Sequence, residues 1–119
     1  MKFAHIGLIV ADLNRAALFY EGILALHRIE RPPLAFDGIW YGLEGGQQIH
    51  LMRLDDPYDG CEKPAHGGRD HHVALQVGDY ETIRQRLEGA NIGYTISKSG
   101  RAALFCRDPD GNTIELIQA

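Results

Sequence analysis

The chain has 119 residues, 45% of them hydrophobic, and a net charge of −4, which predicts a folded domain rather than a disordered chain. Its charges are scattered without a basic stripe, so we expect no nucleic acid and no anionic membrane as partner. Two cysteines outside any Cys-x-x-Cys pair exclude a disulfide framework, and no apolar run could form a signal core or span a bilayer. We therefore expect a soluble, cytoplasmic protein.

The first half of the chain predicts one strand, one helix and three further strands. In chain order these are residues 3–10, 13–26, 27–31, 38–43 and 47–54. Asp12 is a good N-cap for the helix, whose apolar residues recur at helical spacing. The apolar residues of this helix that we expect to be buried are Ala16, Tyr20, Ile23 and Leu24. A turn rich in glycine, residues 44–46, predicts a hairpin between the last two strands.

The second half repeats this order after residues 55–69, which are polar and rich in proline and glycine and which we interpret as a linker. The predicted strands are residues 72–77, 94–97, 102–107 and 112–117. Asp79 should cap a helix between the first two, with Ile83, Leu87 and Ala90 as its buried stripe. The sequence Asp-Pro-Asp-Gly at residues 108–111 predicts a type I turn before the last strand.

This order is β-α-β-β-β written twice, and it predicts an α+β fold. Neither half could bury both faces of a four-stranded sheet alone. We therefore expect the two modules, residues 1–54 and 70–119, to form a single domain over residues 1–119. Their strands should make a curved, half-open, barrel-like sheet with the helices outside and a cleft inside.

Two stretches of the sequence are copies of each other, and each copy carries a pair of polar residues within aliphatic strands. HIGLIV from His5 reappears as HVALQV from His72, an offset of 67 residues, and QIHL around His50 reappears as TIEL around Glu115, an offset of 65. Duplicated polar residues of these types suggest a symmetric cleft that holds a metal ion.

The period of a strand predicts which way these four residues point. Alternate side chains lie on opposite faces, so His5 and His72 oppose the aliphatic residues that should face the helices. His50 and Glu115 are each bracketed by aliphatic residues and follow the same rule. One histidine on a strand is more often a surface residue than a ligand, but four duplicated positions are harder to explain by coincidence. Burying a carboxylate and three imidazoles is costly unless a cation or hydrogen bonds offset the cost.

Four segments of the chain carry a family resemblance: residues 5–13, 19–20, 72–77 and 108–116. In them the sequence resembles the vicinal oxygen chelate superfamily, which includes glyoxalase I, methylmalonyl-CoA epimerase, extradiol dioxygenases, fosfomycin-resistance enzymes and bleomycin-binding proteins. The resemblance covers nearly the whole chain and implies paired βαβββ modules, a divalent metal ion and a homodimer whose sites are usually built from two chains. Its implied metal ligands are His5, His50, His72 and Glu115. Glyoxalase I commonly has Glu or Gln at the position of His50, and no glutathione-binding insert is evident.

The ligand set narrows the expected chemistry. Four ligands on a six-coordinate ion leave two positions for a substrate that chelates through vicinal oxygens, whereas extradiol oxygen chemistry needs three. We therefore expect a metal-dependent isomerase or lyase of glyoxalase type. Alternatives are a thiol transferase of the fosfomycin-resistance type, which Ser97 to Arg101 resembles, and a non-catalytic binder of the bleomycin-resistance type. The ion could be Ni, Zn, Mn, Fe or Co, and Glu115, as the one carboxylate of the set, is the candidate catalytic base.

For the other histidine, aromatic and basic residues near these motifs, we favour a structural role over a functional one. The parity of His71 puts it on the helix-facing side, and His27 and His66 should be exposed. Three aromatic residues of the inner strands could line a pocket but more often form core, namely Trp40, Tyr41 and Phe105. Three basic residues could bind a substrate anion but more often are solvated loop charges, namely Arg69, Lys98 and Arg101.

Overall fold

Two compact units, residues 1–59 and 60–119, make up the chain in the computed structural model, which describes all 119 residues. The strands of the first unit are β1 (His5–Val10), β2 (His27–Ile29), β3 (Gly38–Gly42) and β4 (Gln48–Arg53). Those of the second are β5 (His72–Val77), β6 (Tyr94–Ile96), β7 (Ala103–Arg107) and β8 (Thr113–Gln118). The helices are α1 (Leu13–Ala17), which continues as a π-helical turn over Leu18–Ile23, and α2 (Tyr80–Gly89). No helix is long and apolar enough to cross a bilayer.

Both units have the same sheet topology. The strand orders are β1-β4-β3-β2 and β5-β8-β7-β6, with the first pair parallel and the other pairs antiparallel in each sheet. The predicted α+β class and the duplicated β-α-β-β-β order are confirmed, including the hairpin between β3 and β4. The register is duplicated too, because His5 pairs with Gln48 and His72 pairs with Thr113.

The helical segment of the first unit packs its apolar side chains against one face of the sheet. The predicted stripe is buried, and Tyr20 stacks on Tyr41 of β3 with ring centroids 5.8 Å apart. The helix is not one regular α-helix over residues 13–26. After Ala17 the turn widens, with the amide of Leu24 donating to the carbonyl of Phe19 five residues back, and this wider turn places Phe19 in the core as well.

The second unit uses the same design with a regular helix. Asp79 caps α2 by accepting from the amide of Thr82, and Ile83 and Leu87 are buried. The prediction that Ala90 belongs to the buried stripe was wrong. Ala90 lies one residue beyond the helix, in a non-helical cap conformation, and its side chain is exposed. The chain turns away at Asn91, whose φ is +55°, a value that asparagine tolerates better than most residues.

The two sheets bury equivalent aliphatic residues. Ile49 and Leu51 of β4 are fully buried, as are Ile114 and Leu116 at the equivalent positions of β8. Since successive side chains of a strand alternate, the residues between them, His50 and Glu115, must point to the opposite face. The core therefore determines the direction of the polar residues.

Candidate functional site

The same strand register places the candidate residues on the polar face of each sheet. His50 lies beside Gly7 on the neighbouring parallel strand, and Glu115 lies beside Ala74 in the same way. Paired residues of adjacent strands share a face, so each of these two residues shares its face with a small neighbour. Each histidine of β1 or β5 begins its strand two residues before that small neighbour, on the same face. The sheets thus bring together His5 with His50 and, separately, His72 with Glu115.

In the first unit the two histidines form an aromatic stack. The rings of His5 and His50 are 4.0 Å apart at an interplanar angle of 15°, and Trp40 stacks on His50 at 3.9 Å. Nε2 of His50 donates to Oε1 of Gln48 over 2.7 Å, which leaves Nδ1 with the lone pair. Burial, and then the nearby charges of His5 and Arg31, lowers the pKa of His50, so its imidazole is neutral at pH 7. A neutral imidazole is the form that binds metal ions.

In the second unit a buried carboxylate lies between two basic side chains. Glu115 is only 4% exposed; its Oε2 is 3.3 Å from Nε2 of His72, and its Oε1 accepts from Nη2 of Arg101, also over 3.3 Å. Nδ1 of His72 donates to the backbone carbonyl of Asp70 over 2.8 Å. In a neutral ring this leaves a lone pair on Nε2. Two lone-pair atoms, Nε2 and Oε2, then face each other.

Such a pair fits a cation between its members. A shared proton would satisfy it, and so would a divalent metal ion, for which imidazole nitrogen and carboxylate oxygen are ordinary ligands. Without either, facing lone pairs at a buried position would be costly. The donor set of the second unit therefore fits the expected ion, and the neutral imidazole of His50 in the first unit has suitable chemistry as well. Two of the four predicted ligands lie in each unit, and the structure has no group of three or more His, Cys, Asp or Glu side chains that could hold a metal ion.

A hydrogen-bond network supports the position of His72. Oδ2 of Asp70 accepts from Nη1 of Arg107 over 2.7 Å and from the hydroxyl of Thr113 over 3.2 Å, while Arg107 also donates to Thr113. The Arg107 guanidinium holds the pKa of the Asp70 carboxyl below its ordinary value. Arg107 further donates to the carbonyls of Pro64 and Gly111, so it ties the strand to the two neighbouring loops. Asp70 is thereby held where its carbonyl can orient the His72 ring.

Of the remaining histidines, His27 and His71 are exposed, and His66 differs from the prediction. The ring of His66 is half-buried, and its Nδ1 accepts from the amide of Gly68 while Nε2 donates to the carbonyl of Ile96. Both ring nitrogens have backbone partners, so His66 fixes the turn at residues 67–69. The prediction of a solvated His66 failed because its partner, Ile96, is thirty residues away in sequence.

The aromatic and basic residues considered as pocket or anion-binding candidates lie in different places in the structure. Tyr41 is fully buried on the helix-facing side, as core, whereas Trp40 and Phe105 lie on the polar face. Arg69 and Lys98 line a pocket of about 240 Å³ beside Phe105. Arg101 instead reaches Glu115, so it is not simply a solvated loop charge.

Sequence reasoning did not identify the partners of the four candidates. Gln48 could have been found, because it precedes His50 by two residues and so shares its face. Arg101 and Asp70 had no comparable signal. Arg101 acts from a loop fourteen residues before Glu115, and Asp70 acts through its backbone carbonyl, which any residue type could supply.

Comparisons with known proteins agree with the fold and the motifs. Residues 2–116 match the model of the Glyoxalase/Bleomycin resistance protein/Dioxygenase superfamily. Lactoylglutathione lyase of Haemophilus influenzae is 31% identical, covering 99% of this chain and 93% of the relative. The human mitochondrial methylmalonyl-CoA epimerase is 25% identical, covering 99% of this chain and 74% of the relative.

A solved structure of the fosfomycin resistance protein FosX from Listeria monocytogenes, in complex with Mn(II) and 1S,2S-dihydroxypropylphosphonic acid, has the same fold. It superposes with a TM-score of 0.76 at 19% identity, covering 99% of this chain and 92% of that chain. The family model spans nearly the whole chain, and the duplicated strands carry the residues of the predicted resemblance. The chain belongs to the Glyoxalase/Bleomycin resistance protein/Dioxygenase superfamily, the vicinal oxygen chelate proteins.

Proposed function

We propose that this protein is a metal-dependent isomerase or lyase of glyoxalase type, acting on a small substrate that chelates the ion through vicinal oxygens. The observation that carries the proposal is the buried Glu115 carboxylate, whose Oε2 faces Nε2 of His72 at 3.3 Å. A pure binding protein needs no buried carboxylate of this kind. Two enzymes, a lactoylglutathione lyase and a methylmalonyl-CoA epimerase, are among its relatives.

The proposed ligands of one divalent ion are His5, His50, His72 and Glu115. Three neutral imidazoles and one carboxylate would leave the site with a net charge of about +1, which favours an anionic chelate. Ni, Zn, Mn, Fe and Co all accept these ligands. The solved FosX complex contains Mn(II), which makes manganese one of the ions to test first.

Glu115 is the proposed catalytic base. When bound, the ion would supply Lewis acidity toward a carbonyl oxygen of the substrate. Glu115, displaced from the ion or loosely held by it, would accept the proton from the carbon next to that carbonyl, since it is the one carboxylate of the set. His72, held by the Asp70 carbonyl, would keep its Nε2 directed at the same place.

Metal content is the first test of the proposal. Protein purified without a tag should contain about one divalent ion per chain by elemental analysis. Alanine at His5, His50, His72 or Glu115 should weaken binding of the ion, whereas His71→Ala is the matched control because His71 is exposed next to a ligand. Full metal retention in His50→Ala would show that His50 is not a ligand of the ion.

Proton transfer is the second test. Glu115→Gln keeps the shape and one oxygen donor but cannot act as a base, so turnover should fall by roughly 10²–10⁴-fold at equal metal occupancy. The measurement is deuterium exchange at the carbon next to the carbonyl, with S-lactoylglutathione and methylmalonyl-CoA, the compounds in the relatives' names. Undiminished exchange in Glu115→Gln would remove Glu115 as the base. Thiol-dependent loss of fosfomycin would favour the transferase, and binding without any turnover would favour the binder.

We further propose a homodimer with two equivalent sites shared between chains. β-Sheets with open edges are commonly covered by a second copy, and closed two-fold assemblies are the commonest oligomers. Mixing inactive His5→Ala with inactive Glu115→Ala protein should then regenerate part of the activity. Failure to recover activity after confirmed subunit exchange would place each site within one chain.

A further inference from the structure

We propose that Arg101 is a positioning residue that holds one oxygen of Glu115, so that the carboxylate presents its other oxygen to the ion. This inference rests on the proposed metal site. The two oxygens of Glu115 have different partners in the structure, since Oε1 is 3.3 Å from Nη2 of Arg101 and Oε2 is 3.3 Å from Nε2 of His72. The oxygen beside a candidate metal ligand is therefore the one that Arg101 leaves free.

The guanidinium of Arg101 is suited to this task because it contacts two partners at once. Its Nε donates to Oγ of Ser99 over 3.1 Å while Nη2 reaches Glu115. A planar, forked donor can fix one partner relative to another, which the single ammonium of a lysine cannot do. The side chain of Arg101 is 58% exposed and that of Glu115 is 6% exposed, so a surface residue reaches in to a buried carboxylate.

The loop that carries Arg101 is itself ordered by hydrogen bonds. The hydroxyls of Ser97 and Ser99 are 2.8 Å apart, the amide of Ser99 donates to the Ser97 hydroxyl, and the amide of Arg101 donates to the Ser99 hydroxyl. Gly100 has a φ of +82°, a conformation that glycine adopts without strain. These hydrogen bonds fix the backbone of the loop from which the Arg101 side chain extends. A residue serving only as a solvated charge would not need such an ordered loop.

Two effects of Arg101 on a cation at this site oppose each other. Its positive charge repels a second cation, whereas its hydrogen bond orients the carboxylate that binds it. Partners that orient a metal ligand typically change metal affinity by 10- to 100-fold when they are removed. An exposed charge farther away is screened by solvent and salt. The orienting effect should therefore dominate at Arg101, and only the charge effect should act at the neighbouring Lys98.

The experiment measures Zn²⁺ affinity by competition with a chelator, with Zn²⁺ alone as the probe and the full chain as the protein. Arg101→Ala should weaken binding roughly 10-fold or more. Arg101→Lys keeps the charge but loses the fork, so it should weaken binding nearly as much. Lys98→Ala, which removes the same charge from the same loop, should change affinity by about 2-fold or less. Circular dichroism and thermal melts establish that each variant is folded.

A Glu115→Ala background separates an effect through Glu115 from any other. There, Arg101→Ala should no longer weaken Zn²⁺ binding, since Arg101 has lost the group that it orients. Wild-type affinity in Arg101→Lys, or tighter binding in Arg101→Ala, would show that Arg101 acts only as a charge and would overturn the proposal, while leaving the proposed function intact. Wild-type protein that binds no divalent ion would instead count against the metal site itself, and with it against this role of Arg101.

Discussion

The two modules have the same framework and different polar faces. Leu51 and Leu116 occupy equivalent, fully buried positions, yet the residues that precede them, His50 and Glu115, have opposite chemistry. In the first module a neutral imidazole is stacked between two rings. In the second, a carboxylate has a histidine on one oxygen and an arginine on the other. The buried aliphatic face is thus the same in both modules, and the modules differ in the residues of the opposite face.

The modules also differ in how the polar face is covered. In the second, residues 67–69 lie directly on β7 and β8, and a Cβ on Gly67 would come within 2.6 Å of the Phe105 side chain and 3.0 Å of that of Thr113. Glu115 is buried, while His50 in the first module is only half-buried. A glycine is what allows this loop to approach the sheet so closely.

The largest expected effect tests whether the two cores are equivalent. Leu51→Ala and Leu116→Ala each remove a fully buried side chain, so each should lower the free energy of unfolding by about 2–5 kcal/mol. Urea denaturation measures both. The similarity of the modules predicts two losses of comparable size, and a small loss at one site would show that the two frameworks differ in packing.

The second prediction concerns Arg107, whose equivalent in the first module is Gly42. Arg107→Ala removes hydrogen bonds to a carboxylate and to two loop carbonyls, and should cost about 1.5–3 kcal/mol of unfolding free energy. The same variant should weaken the ordering of Asp70, and thus of His72.

This network also predicts a pH dependence. The pKa of Asp70 is lowered in the folded protein, so its contribution to stability is present above its unfolded pKa, near 4, and is lost as the pH falls through the folded value. Wild-type protein should therefore lose stability on acidification below about pH 4, and Arg107→Ala should lose less over the same range. Parallel curves of unfolding free energy against pH for the two proteins would contradict the assignment to Asp70.

The two helix caps allow a matched pair of substitutions, each with a smaller expected effect on the free energy of unfolding. Asp12 accepts from the amide of Arg15 over 3.0 Å, and Asp79 accepts from that of Thr82 over 3.4 Å. Alanine at either position should cost about 0.5–2 kcal/mol, and the shorter bond predicts the larger loss at Asp12. Asparagine retains the cap and serves as the control at both sites. A larger loss at Asp79 would indicate that the longer α2 depends more on its cap than the bond length suggests.

The smallest effect concerns thiol reactivity and leaves stability unchanged. Cys106 occupies the position equivalent to Tyr41, and burial raises the pKa of its thiol to about 12, whereas Cys61 is exposed. A thiol reagent at pH 8 should modify one cysteine per folded chain, and the second only after unfolding. Rapid modification of both in the folded protein would mean that the core around Cys106 opens readily.

Much of the fold could be predicted from the sequence because its signals are local. The strand periods, the caps Asp12 and Asp79 and the Asp-Pro-Asp-Gly turn all depend on residues within a few positions of each other, and the structure has each of them. The π-helical turn over Leu18–Ile23 could not be predicted, because apolar residues at helical spacing are compatible with either winding. Ala90 was misplaced for a related reason, since an apolar residue just beyond a helix end fits the helical period without sharing its face.

The sequence by itself determined on which face of its sheet each of the four candidate residues lies. A duplicated pattern of period two specifies that face wherever the aliphatic side is buried. Only the tertiary structure decided what surrounds those residues: Trp40 stacked on His50, Arg101 on Glu115, and the Asp70 carbonyl on His72. These contacts depend on strand register, on loop paths and on a backbone atom, and none of the three is encoded in the spacing of residue types along the chain.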